Sequence, residues 1–143
     1  MKSFRIVLLA LLAILVGIQF VPVDRSNPPV TQEIVAPQAV KDILKRACYD
    51  CHSNETQWPW YGHVAPVSLL LANHVEEGRE HLNFSEWDQV KDPRHAIEEC
   101  WEEVEEGEMP LKSYLLLHRS AELSAEDLAT LKSWASAYAK HDD

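Results

Sequence analysis

Cys48, Cys51 and His52 stand together in "ACYDCHSNETQWPWYG", residues 47–62, and no other stretch limits the possible folds so sharply. Two cysteines three apart at a helix end bring both sulfurs to one side of the chain. The histidine lies one turn beyond the first of them. Four chemistries use such a cluster: a disulfide, a redox dithiol, part of a zinc site, or covalent attachment of a haem. Each asks for different surroundings. A thioredoxin-like dithiol belongs in a βαβ unit, and zinc needs a fourth ligand and typically a second paired motif. A simple disulfide leaves the adjacent histidine without a role.

The compartment is the first discriminator. Lys2 and Arg5 precede an unbroken apolar run from Ile6 to Val23. As a helix that run spans nearly 30 Å, close to the hydrocarbon thickness of a bilayer. No A-x-A-like cleavage site follows, so residues 1–23 read as an uncleaved membrane anchor in preference to a signal segment. Positive charge ahead of the run places the N-terminus in the cytoplasm and the remainder outside. Residues 24–36, "DRSNPPVTQEIVA", carry paired prolines and no helical period. They read as an extended spacer lifting the domain of residues 37–143 off the membrane. The chain's formal net charge of −10 includes Lys2 and Arg5, so the exported part is more acidic still. Such a surface repels nucleic acid and suits either basic protein partners or simple solubility, between which the charge alone does not choose.

Four helical segments are expected in that domain, and few signs of strand. In "PQAVKDILKRAC", Val40, Ile43, Leu44 and Ala47 form one apolar stripe that delivers Cys48 at the helix end. A second helix starts near Pro66, with Gly78 as its stop. Ser85 is placed to cap a short turn bearing Trp87 and Val90. A third helix buries Ile97, Cys100, Trp101 and Val104, keeps its glutamates in water and ends at Gly107. A loop through Pro110 leads to a last helix with Ser124 as N-cap and Asp127 as its reciprocal partner. Leu123 is placed to staple to Leu128, and Leu128, Leu131, Ala135 and Tyr138 form the buried stripe with Trp134 alongside. The expected domain is small and all-α, with a thin core that a bound prosthetic group would complete.

Export and the absence of strands favour the haem reading. Cys48 and Cys51 would form thioethers to the group, and His52 would bind iron from the same side. Trp58, Trp60 and Tyr61 follow closely and are expected to pack against it. For the opposite side of the iron the expectation is Met109, the one internal methionine, in the "EGEMPL" loop. Histidines 63, 74, 81, 95 and 118 compete with it, and His74 is the strongest of them. Cys100 is expected to be a buried, inert thiol, with an intermolecular disulfide as the other reading.

The blocks "VDRSNPPV", "CYDCHSNETQWPWYGHVAPVS", "EGREHLNFSEW", "EEVEEGEMPLKSYLLLH" and "LSAEDLATLKSWA" resemble the bacterial haem-binding domain family of small c-type cytochromes. The resemblance runs from Pro22 to Ala137. It implies one covalent haem c, an all-α cytochrome c-like fold and a place outside the cytoplasmic membrane. By analogy with cytochromes c, a proline after the motif would lend its carbonyl to His52, with Pro66 expected and Pro59 as second choice. The single C-x-x-C-H excludes a complete dihaem peroxidase. The expected function is a single-pass, periplasm-facing monohaem cytochrome that passes single electrons between redox partners and is not itself an enzyme. The alternative is a haem sensor or peroxidase-accessory domain with an open sixth position.

Overall fold

A computed structural model describes residues 2–139. Helix α1, Lys2–Gly17, has no buried residue and continues into a 3-10 turn at Ile18–Phe20. Together they make 19 residues of mean hydropathy 2.3, long and apolar enough to cross a membrane. The remaining described residues form six further helices with no strand, apart from one isolated parallel bridge between Gln32 and Glu86. The fold is all-α.

Residues 24–36 are extended as expected, but they lie along the domain instead of holding it at a distance. Arg25 Nε donates to the Gly62 carbonyl at 2.8 Å, and Asn27 Nδ2 to that of Thr56 at 3.0 Å. Ile34 is fully buried, and its N–H reaches the Phe84 carbonyl at 2.9 Å. A chain held extended by Pro28 and Pro29 must find partners for its own backbone groups, and here the domain supplies them. The segment is a strap.

Helix α2, Gln38–Ala47, buries Val40, Ile43, Leu44 and Ala47 on one stripe. Cys48 separates it from the one-turn helix α3, Tyr49–His52, in which the His52 N–H bonds back to the Cys48 carbonyl at 2.9 Å. A 3-10 turn at Trp60–His63 leads into α4, Val67–His81. Gly78 does not end α4. It lies inside the helix, buried, where α4 packs on α3.

Ser85 also departs from expectation. Its hydroxyl accepts the Asn54 N–H at 3.0 Å, and the turn at Trp87–Gln89 has no side-chain cap. Helix α5, Pro93–Glu105, is capped by Asp92, whose Oδ1 accepts the His95 N–H. Past its end, Gly107 takes φ +74°, a conformation that favours glycine. The loop after Pro110 contains a single-turn helix, α6, Lys112–Leu115, too short to carry a period that a sequence could display.

Helix α7, Ala125–Ala139, packs on α5 and α2 and buries Leu131 and Trp134. Its start is a capping box: Asp127 Oδ2 accepts the Ser124 N–H at 2.8 Å, and Ser124 Oγ accepts the Asp127 N–H at 3.1 Å. The same carboxylate meets Arg46 Nη2 at 2.8 Å, joining α7 to the end of α2. The Ser124 N–H, with help from Arg46, holds Asp127 below the usual carboxylate range. Its contribution to stability is therefore complete above about pH 4 and lost as the pH falls through the lowered folded value. Asp127→Asn is expected to cost about 1 kcal/mol at neutral pH, since the pair is partly solvated. Urea midpoints should differ between the two proteins at about pH 7 and converge toward about pH 2, where both side chains are neutral.

Candidate functional site

The core residues Val40, Leu44, Tyr49, Phe84, Ile97, Val104 and Leu131 stop short of filling the domain. Between α3, α4, α5 and the loop to α6 lies a cavity of about 510 Å³, within the size range of small-molecule sites. Cys48, Cys51 and His52 line it from the α2–α3 corner. The close crossing of α4 over α3 builds that wall. A Cβ on Gly78 would meet the Cys51 carbonyl oxygen at 2.7 Å and its carbonyl carbon at 3.1 Å. Only glycine lets the two backbones approach so closely.

The chain after α4 then orients His52. Its Nδ1 lies 3.1 Å from the Leu82 carbonyl, and its own carbonyl accepts the Phe84 N–H at 2.8 Å. A carbonyl can only accept, so Nδ1 carries the proton and the lone pair stands on Nε2. Burial lowers the pKa of His52, which keeps the ring neutral and able to bind a metal. Leu82 thus takes the part expected of Pro66, whose carbonyl is occupied by the N–H groups of Leu69 and Leu70 in the first turn of α4. Pro59 is no substitute, because its carbonyl accepts from Gly62.

Met109 lines the same cavity, from the loop that follows α5. The turn at Gly107 reverses the chain, and the N–H groups of Glu108 and Met109 both reach the Glu103 carbonyl at 3.0 Å. The loop is therefore held by its backbone, and Met109 packs against the core. Of the competing histidines, His74 and His81 also line the cavity, both from α4, the helix packed on α3. His63, His95 and His118 do not. His95 is exposed beside Glu99, and His118 stacks on Tyr114 with ring centroids 4.0 Å apart.

The aromatic cluster after the motif does not reach the cavity. Trp60 is 80 % exposed, and Tyr61 packs against Trp60 and His118. Trp58 lies beside Gly62 and lines a second cavity under the strap. The chain leaves the site after His52, so proximity in sequence does not carry over into space. The walls are supplied instead by Leu82, Phe84, Val104 and Tyr114. Tyr114 donates to Asp50 Oδ2 at 2.7 Å and ties α6 to α3 across one side. Burial, followed by that bond to Asp50, pushes the Tyr114 pKa up, so the phenol stays a donor.

These residues fit a covalent haem. Two thiols, an imidazole with one nitrogen free and a thioether converge on one cavity with apolar walls. All three cysteines are free. Burial pushes the Cys51 thiol up to about 11 and the Cys48 thiol higher. Among the described residues no group of three or more His, Cys, Asp or Glu side chains is placed to hold a metal ion. Cys100 also lines the cavity, with burial raising its thiol to about 11.

A family described as "Haem-binding domain" matches residues 13–137. No curated protein and no solved structure matches the chain.

Proposed function

The chain belongs to the haem-binding domain family, and we propose that it is a membrane-tethered monohaem c-type cytochrome carrying single electrons between redox partners outside the cytoplasmic membrane. The observation that carries this reading is the convergence of Cys48, Cys51, His52 and Met109 on one cavity. Haem bound there supplies a one-electron Fe(III)/Fe(II) couple.

The chain's own residues account for the rest. Cys48 and Cys51 hold the group covalently. Leu82 sets the orientation and basicity of the His52 ring through Nδ1. Met109, lining the same cavity, would hold the iron together with His52, and a thioether there would favour the reduced state over a second imidazole. Leu82, Phe84 and Val104 exclude water. With His52 and Met109 both binding the iron, no position would be left for a substrate, and the group would serve to carry electrons. Asp50, Glu77, Glu99 and Glu103 rim the cavity and favour basic redox partners, whose docking weakens as salt rises.

Met109→Ala tests the ligand set. The unmodified ferric protein is expected to show the weak sulfur-to-iron charge-transfer band, and the variant to lose it and fall in potential. A variant that keeps both band and potential would assign the far side to another residue, with His74 first in line.

A further inference from the structure

We propose that the face bearing Trp60, Val64, Val67, Leu70, Leu116 and Leu117 is a second membrane contact, lying in the lipid interface beside the end of α1. The proposal rests on the reading of α1 as a membrane anchor. It adds that the domain is seated on the bilayer and does not merely hang from it.

The composition of this face is unlike the rest of the domain. Residues 56–75 contain no Asp, Glu, Lys or Arg, in a chain that carries 23 acidic and 13 basic residues. The segment buries Ala65 and Val75 but leaves one apolar face open: Trp60 is 80 % exposed and Leu70 56 %, with Val64 and Val67 also exposed. Leu116 and Leu117, exposed at 74 % and 67 %, join the same face. The Tyr61 hydroxyl lies 3.1 Å from His118 Nε2, which links the two segments one residue from Trp60 and one from Leu117. A contiguous exposed apolar patch of this kind marks an interaction surface.

Two hydrogen bonds identify what covers it. Gln19, in the 3-10 turn that completes the apolar run, donates through Nε2 to the Ala65 carbonyl at 3.0 Å. Its Oε1 accepts the Ala65 N–H, also at 3.0 Å. The end of the anchor is thereby clamped to the backbone between Val64 and Val67. Arg25, a few residues on, holds the Gly62 carbonyl at 2.8 Å. Where α1 leaves the hydrocarbon, this face is within a side chain's reach of the same boundary.

The chemistry suits that depth. Tryptophan prefers the headgroup level, with its ring in apolar surroundings and its N–H toward water. Lys112 and Arg119, both exposed, flank Leu116 and Leu117 and can meet anionic headgroups. Amphipathic surfaces of this type lie in the interface without spanning it. With two contacts, the strap and the Gln19 clamp fix how the cavity faces the membrane.

Nitroxide labels in the full-length, haem-loaded protein test this in vesicles of phosphatidylcholine and phosphatidylglycerol. Cys100→Ala removes the background thiol, and Trp60→Cys, Leu117→Cys, Leu9→Cys and Lys132→Cys each take one label. Power saturation with oxygen and with a water-soluble nickel chelate then reports depth. Labels at 60 and 117 are expected to lose nickel accessibility while remaining open to oxygen, between position 9 in the anchor and position 132 on exposed α7. Labels at 60 and 117 as open to nickel as position 132, with position 9 still in lipid, would overturn the contact and leave the anchor standing. Shielding from both reagents would mean a protein partner and would overturn it as well. Nickel access at position 9 would remove the anchor, and the second contact with it.

Discussion

Alanine at both Cys48 and Cys51 is expected to leave no haem on the polypeptide after denaturation. Both thiols open onto the cavity from consecutive turns around α3, and no other pair of cysteines exists to replace them. Cys100 lines the cavity too, but from α5, a different wall, and it lacks a neighbouring histidine. Either single substitution should keep one thioether, so haem staining persists and the pyridine haemochrome maximum shifts to the position of a single link. The double variant should lose the stain altogether, and its intact mass should equal that of the bare chain. It should also unfold more readily than the loaded protein, because the haem buries apolar cavity wall that the bare chain leaves open. Stain that survives the double substitution would remove the two cysteines from attachment.

Gly78→Ala is expected to weaken the same site without removing any group that binds haem. Judged as an isolated helix residue, alanine should stabilise by about 1 kcal/mol relative to glycine. The crossing with α3 reverses that sign. The new methyl group would stand 2.7 Å from the Cys51 carbonyl oxygen and 3.2 Å from its Cβ, and the closest of these atoms is backbone. Helix α4 must move away, drawing Leu82 from His52 and widening the gap beside Cys51. Overpacking of this kind costs about 1–3 kcal/mol, read as a lower urea midpoint of the loaded protein and a lower fraction of chains carrying haem. An increase in stability would show that the crossing has room to spare.

Gly78 also illustrates which parts of this molecule a reader of the sequence can reach. The stripes of α2, α5 and α7 repeat at helical spacing, and the residues that meet the core follow directly, although Cys100, Trp101, Leu128, Ala135 and Tyr138 are only partly buried. The box of Ser124 and Asp127 is equally local, since all its partners lie within one turn. A glycine near the end of an apolar helix is ambiguous, because termination and close approach call for the same residue. Only the position of α3 distinguishes them. Leu82 left no signal at all, for it acts through a carbonyl that every residue has. Trp58, Trp60 and Tyr61 misled for the opposite reason: their side chains are conspicuous, but Trp58 lies under the strap, Trp60 is exposed and Tyr61 packs on His118. Residues 24–36 showed their extended form through Pro28 and Pro29, while the partners that hold them down are scattered from Thr56 to Ser85.

Cys48, Cys51 and His52 remain the feature from which everything else follows, and Met109 decides what they are for. A methionine on the far side makes the site closed and the protein a carrier; its absence would leave a position open to small molecules, as in a sensor. The backbone bonds from Glu108 and Met109 to Glu103 argue that the loop is held in place rather than free to swing aside. Carbon monoxide binding by the ferrous, haem-loaded protein at neutral pH separates the two most directly. The carrier account predicts little or slow binding in the unmodified chain and rapid binding after Met109→Ala. Rapid binding by the unmodified chain would contradict it.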